Sequence, residues 1–123
     1  APENKKIKIK IIKEISFYAK PKSIIASSSS GLLPSRIQSE CINPERLIIA
    51  HPFNPVYLLP LVELVKGKKN KKIYIDRANK FYQNIGMHTL ILKKELPGYL
   101  SDRLQESMWR ESLHILNENL AST

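Results

Sequence analysis

The stretch HPFNPVYLLPLVELV, residues 51–65, decides how the chain is read. It sets one histidine, His51, before a proline-broken loop, and one carboxylate, Glu63, inside the apolar run Leu61, Val62, Leu64 and Val65. A buried carboxylate without a partner is costly, so Glu63 either reaches water or pairs. His51 lies twelve residues upstream, a spacing that brings the two together if RLIIAH (46–51) and LVELV (61–65) are neighbouring strands. A histidine with one ring nitrogen held by a carboxylate has a fixed tautomer and a supported imidazolium, as a general base requires. The competing reading is a core histidine bonded to a carbonyl and a glutamate that snorkels to solvent.

Working outward, residues 5–13 alternate Lys and Ile, the period of a strand. Yet Ile7, Ile11, Ile15 and Tyr18 form a helical stripe, and the run of about 17 residues before Pro21 exceeds an ordinary strand, so a helix is predicted. SIIAS (23–27) reads as a short strand ending in the polar turn SSSSG, and Pro34 opens a short helix, PSRIQSEC (34–41). Beyond the central stretch and its lysine turn KGKKNKK (66–72), IYIDRANKFYQNIG (73–86) reads as a helix ended by Gly86. HTLILKK (88–94) is the fourth strand, and ELPGYL turns the chain into a long helix striped with Leu100, Leu104, Met108, Leu113, Leu116 and Leu120. Such alternation is α/β order, with short crossovers that favour a largely parallel sheet early in the chain. The closing helix has a broad apolar face and no strand after it, as the first element of an all-helical part would.

Bulk composition narrows the function classes. A chain of 123 residues forms one domain at most. No apolar run reaches the roughly 20 residues of a membrane helix, and APENKKIKIK lacks the apolar core of a secretory signal. Cys41 is the single cysteine, which excludes an internal disulfide and suits a reducing, cytoplasmic setting. The net charge of +9 is compatible with nucleic acid, an acidic membrane face or an anionic small molecule. However, the lysines crowd residues 5–13 and 66–72 without interleaved aromatics, recognition-helix pattern or zinc-ligand spacing. That pattern predicts a solvated surface, with no nucleic-acid, membrane or metal site.

In open α/β sheets, functional groups collect beyond the carboxyl ends of strands. Ser27–Ser30 follow the first strand, His51 and Asn54 the second, and Glu63 lies in the third. The segments IIASSSSGLLPSRIQ, NPERLIIAHPFNPVYLLPLVELV and LILKKELPGYLSDRL resemble, in the same order, the ASNTS turn, HFFNP loop, LVEV strand and PGF turn with NR of the L-3-hydroxyacyl-CoA dehydrogenase family. HPFNPVYLLPLVE with DRLQESMWRESLH is similar to that family's L-carnitine 3-dehydrogenase branch.

The resemblance implies an α/β fold: residues 1–96 as the second, C-terminal half of a Rossmann-like NAD-binding domain, and residues 97–123 as the first long helix of an all-α domain. It implies NAD as cofactor and a 3-hydroxy acid or its CoA thioester as substrate. His51 then removes the proton of the 3-hydroxyl, and Glu63 orients and supports the imidazolium. Ser30 falls where the family contacts the reacting oxygen and the nicotinamide, Asn54 in the substrate pocket, and Glu3 and Lys8 on the nicotinamide side of the cofactor. Without the resemblance, Lys8 reads as one solvent lysine among many. A homodimer, or association with a missing N-terminal half, is also implied.

Departures from the family pattern carry information of their own. Ser28 and Ser29 replace the usual Asn-Thr, a mild change. Asp102 stands where acyl-CoA enzymes have an asparagine; a carboxylate there favours a cationic substrate, or simply complements the helix dipole. Tyr99 and Trp109 lie near it in sequence, as cation–π partners or, for Trp109, as core. The glycines are Gly31, Gly67, Gly86 and Gly98, and no GxGxxG occurs, so the phosphate-cradling turn of a dinucleotide site is lacking. The 123 residues alone are therefore expected to bind NAD poorly and to be inactive. An inactive remnant, a partner-dependent subunit and a small basic anion-binding module are the alternative readings.

Overall fold

The computed structural model of the chain describes residues 2–121. Its centre is a four-stranded sheet whose spatial order follows the sequence: β1 (Ile25–Ser27), β2 (Leu47–Pro52), β3 (Leu61–Val65) and β4 (His88–Leu92). β1 and β2 run parallel, as do β3 and β4, but β2 and β3 are antiparallel. The expectation of a largely parallel sheet is thus corrected at its middle. Eight residues, 53–60, join β2 to β3, and a parallel crossover takes about a dozen or more. Among the described residues, β1 pairs on one side only, leaving its outer edge open.

Both faces of the sheet are covered. Leu47 and Ile49 of β2 and Val65 of β3 pack with Ile12, Ile37 and Tyr99 on one face. Ile48, Ala50, Val62 and Leu64 pack with Ile75 and Ala78 on the other. Side chains alternate along a strand, so His51 shares the face of Leu47 and Ile49, and Glu63 that of Val65. Helices α1 (Lys5–Tyr18) and α2 (Pro34–Ile37) lie on this first face; α3 (Lys72–Asn84) covers the second.

α1 begins where the Asn4 side chain accepts the Ile7 N–H at 3.1 Å, and it stops before Pro21. Its buried face differs from the stripe seen in the sequence. Lys8, Ile12 and Ser16 are buried, while Ile7, Ile15 and Tyr18 are exposed. Polar partners make this orientation tolerable: the Ser16 hydroxyl accepts the Ile42 N–H at 2.9 Å, and buried Arg46 donates to Ser16 O at 2.8 Å and Lys20 O at 2.5 Å. The guanidinium thus caps the carbonyl end of α1.

α2 runs four residues rather than the eight of PSRIQSEC. The Gln38 amide donates to Pro44 O and Leu47 O, each at 2.9 Å, and draws the chain into a 3₁₀ turn at Pro44–Arg46. α3 ends as expected, with Gly86 at φ 84 just beyond it. β4 stops at Leu92, short of the exposed Lys93 and Lys94. The last helix, α4 (Ser101–Asn117), leaves its apolar stripe open, with Leu104, Met108, Leu113 and Leu116 all exposed, and it stops short of Leu120, the last member of the predicted stripe. No helix among the described residues is long and apolar enough to cross a membrane.

Candidate active site

The antiparallel register sets His51 directly opposite Glu63. Facing residues on one side of such a pair hold their Cβ atoms roughly 5 Å apart, within side-chain reach. The His51 Nδ1–Glu63 Oε2 distance is 2.9 Å, and the Glu63 side chain is 0 % exposed. Three further donors reach the same carboxylate. The Leu100 and Ser101 N–H groups each donate to Oε1 at 3.0 Å, and the Ser101 hydroxyl donates to Oε2. α4 has no side-chain cap from its own first turn, so Glu63 caps it from β3.

Burial alone pushes the Glu63 carboxyl up, but the Ser101 hydroxyl, His51 and the two amides outweigh it and hold it below the usual carboxylate range. With Glu63 ionised, His51 Nδ1 carries the proton that it donates, an assignment made from the partner. Nε2 is left as an acceptor. His51 lines a cavity of about 210 Å³ together with Phe53, Asn54, Asp102 and Gln105.

A second cluster gathers at the serine turn. Glu3 Oε1 accepts the Ser29 hydroxyl and the Gly31 and Leu32 N–H groups, the latter two at 3.2 and 3.3 Å; Oε2 pairs with Lys8 Nζ at 3.0 Å. Burial raises the Glu3 carboxyl, yet Ser29, Lys8 and the Gly31 amide hold it down to about 2. Lys8 is 7 % exposed and so is no solvent lysine.

Tyr99 links the two clusters. Its hydroxyl donates to Leu32 O at 2.8 Å, and its ring meets the His51 ring edge-on at a centroid distance of 5.5 Å. Burial raises the Tyr99 hydroxyl, which stays neutral.

The structure therefore joins His51 to Glu63, and Glu3 to Lys8. Asn54 and Asp102 share the His51 cavity. Ser30 is exposed and its side chain makes no hydrogen bond among the described residues; its neighbour Ser29 is the buried member of the turn. Tyr99 is buried against His51 and its hydroxyl is engaged, so it offers no free wall for a cation. Trp109 is not core either: at 62 % exposure it lines an open groove of about 580 Å³ with Asp102, Gln105 and Met108. Sequence reading missed Ser101 and did not single out Ser29 within the Ser27–Ser30 turn, because a serine looks the same whether solvated or buried.

Against known proteins, the family profile described as 3-hydroxyacyl-CoA dehydrogenase, NAD binding domain, matches residues 1–96. The chain belongs to that 3-hydroxyacyl-CoA dehydrogenase family. Its mixed sheet with helices on both faces is the family's Rossmann-like, NAD-binding fold. The chain is 50 % identical over 122 residues to the L-carnitine dehydrogenase of Staphylococcus epidermidis, covering 99 % of itself and 38 % of that protein. It is 49 % identical over 123 residues to the L-carnitine dehydrogenase of a Pseudomonas species, covering 100 % of itself and 38 % of that protein. Among solved structures, (S)-3-hydroxybutyryl-CoA dehydrogenase from Ralstonia eutropha superposes with a TM-score of 0.90 at 30 % identity, over 99 % of this chain and 43 % of that one. The chain thus spans under two fifths of the length of the curated relatives it matches.

Proposed function

We propose that the chain carries the catalytic base of an NAD-dependent dehydrogenase that oxidises the 3-hydroxyl of a 3-hydroxy acid, L-carnitine or a close analogue. The observation that carries this reading is the buried His51–Glu63 pair, 2.9 Å apart, beside a cavity shared with Asn54 and Asp102. Likeness to L-carnitine dehydrogenases supports the substrate class.

In this reading His51 Nε2 accepts the proton of the substrate hydroxyl as the hydride leaves C3, and the product is the 3-keto acid. Glu63 fixes the imidazole tautomer through Nδ1–H and balances the imidazolium charge that forms. Asn54 offers an amide to the substrate. Asp102 sets a negative charge where a trimethylammonium group gains from it, and Trp109 on the same groove offers an aromatic face. A CoA thioester gains nothing from either.

When bound, NAD supplies the hydride acceptor. The residues present fit the reactive end of that cofactor: Glu3 and Lys8 form a paired, nearly neutral couple tied to the serine turn through Ser29, and Ser30 is exposed with its hydroxyl unbonded among the described residues. The pyrophosphate has no counterpart among these residues, since the sequence holds no GxGxxG. Residues 1–123 alone therefore bind NAD weakly. Residues 97–123 open the helical domain in this scheme, and buried, unpaired Cys41 suits a cytoplasmic enzyme.

The test is steady-state oxidation kinetics with NAD on a full-length enzyme carrying this segment, with L-carnitine and (S)-3-hydroxybutyryl-CoA as alternatives. His51→Asn is expected to lower kcat/KM by about 10²- to 10⁴-fold, the range for loss of a general base. Asp102→Asn is expected to weaken carnitine oxidation by about 2- to 30-fold, matching roughly 0.5–2 kcal/mol of lost cation contact. Unchanged turnover in His51→Asn removes the base assignment; 3-hydroxybutyryl-CoA as the better substrate removes the carnitine assignment.

A further inference from the structure

The start of α4 is held in an unusual way. Leu100 and Ser101 present three donors, two amides and one hydroxyl, and all three converge on a carboxylate contributed by β3. The amides take Oε1, while the Ser101 hydroxyl takes Oε2, the oxygen that also receives His51 Nδ1–H.

We propose that Ser101 is a positioning residue for the His51 base: its hydroxyl fixes the rotation of the Glu63 carboxylate, and so ties the orientation of His51 to the seating of α4. The inference rests on the reading of His51 as the base.

The terminal torsion of a glutamate is broad, so a carboxylate holds its plane only when its partners define it. With Ser101 each oxygen of Glu63 has two donors. Without the hydroxyl, Oε2 keeps His51 alone and the backbone amides alone define the far side. A helix-capping role does not account for the hydroxyl. A capping serine turns back to amides of its own first turn. α4 has no such bond, and the Ser101 hydroxyl points to another element.

The ionisable groups around Glu63 are few. His51 faces it from β2, Tyr99 and Asp102 stand on either side of Ser101, and Glu3 couples to the same Tyr99 from the N-terminal segment. Only His51 among them bonds the carboxylate. Removing the hydroxyl therefore takes a quarter of the donors from a buried anion, which then binds a proton more readily.

The experiment is a carboxyl-carbon NMR titration of Glu63 in residues 1–123, comparing wild type, Ser101→Ala and Ser101→Thr. Thermal unfolding verifies that each variant is folded. The Glu63 midpoint is expected to rise by about one to two pH units in Ser101→Ala, the worth of one hydrogen bond to a charged group, and to return in Ser101→Thr. A folded alanine variant with the wild-type midpoint overturns the proposal. Should the alanine chain not fold, Ser101→Cys supplies a weaker donor of similar size: an intermediate midpoint supports the proposal and an unmoved one overturns it. The His51→Asn kinetics separate the two ideas. Oxidation that survives His51→Asn removes the base assignment whatever Glu63 does, whereas an unmoved midpoint with oxidation abolished removes the role of Ser101 alone.

Discussion

Glu3 and Glu63 solve one problem in one way, gathering enough donors to keep a partly or fully buried carboxylate ionised. Glu3 has a consequence for stability against pH. Its folded-state value, about 2, lies below the ordinary 4.5, so the stability it contributes is present above 4.5 and is lost as pH falls towards 2. Urea unfolding of Glu3→Gln across that window is expected to show a shallower acid-side loss than wild type. Its side chain is 40 % exposed, so solvent trims the effect. Parallel curves for the two proteins count against an intact Glu3–Lys8–Ser29 cluster in solution. The two carboxylates also differ in how visible they were. Glu63 stood out as the one acid in an apolar run, and the spacing to His51 named its partner. Its other donors, at Leu100 and Ser101, lie 37 and 38 residues away, and nothing local marks them.

At the scale of elements, apolar patterning together with length and the Pro and Gly positions located the four strands and the four α-helices, while the 3₁₀ turn, the buried faces and the pairings came from interactions that such patterns do not contain. The stripe of α1 gave the helix but not its buried side, which Arg46, Ser16 and the Lys8–Glu3 pair decide. The spacing of His51 and Glu63 made β2 and β3 neighbours, and their antiparallel sense follows from a connection too short for a parallel crossover. Gly67, in the lysine turn after β3, shows how closely these elements approach. A Cβ there meets the Ser35 amide nitrogen at 2.9 Å and the Gln38 side-chain oxygen, and Ser35 N–H is itself tied to Glu95 at 2.9 Å. Gly67→Ala is therefore expected to destabilise by about 1–3 kcal/mol in chemical denaturation. Gly31→Ala, with nothing within 4 Å of the added carbon, serves as the control and is expected to change little. Equal stability of both variants contradicts the close approach of α2 to this turn.

Across the whole molecule, the α/β class was legible because alternating helices and strands leave few other ways to bury two-sided apolar strands such as β2. The outward stripe of α4 was legible too, although a sequence does not say what faces it. The open outer edge of β1 joins with the net charge of +9 to govern how copies of the chain behave in concentrated solution. Unpaired ladder groups invite an extended strand from any neighbour, including an identical one, but charged copies repel at long range. Salt shortens that repulsion from about 30 Å at 0.01 M to about 3 Å at 1 M. Light scattering should accordingly rise with ionic strength, and Ala26→Lys, at the exposed middle of β1, should delay the rise. Scattering that falls with salt would point instead to attraction between opposite charges. For handling, the chain is expected to stay clearest in dilute buffer and to cloud in brine.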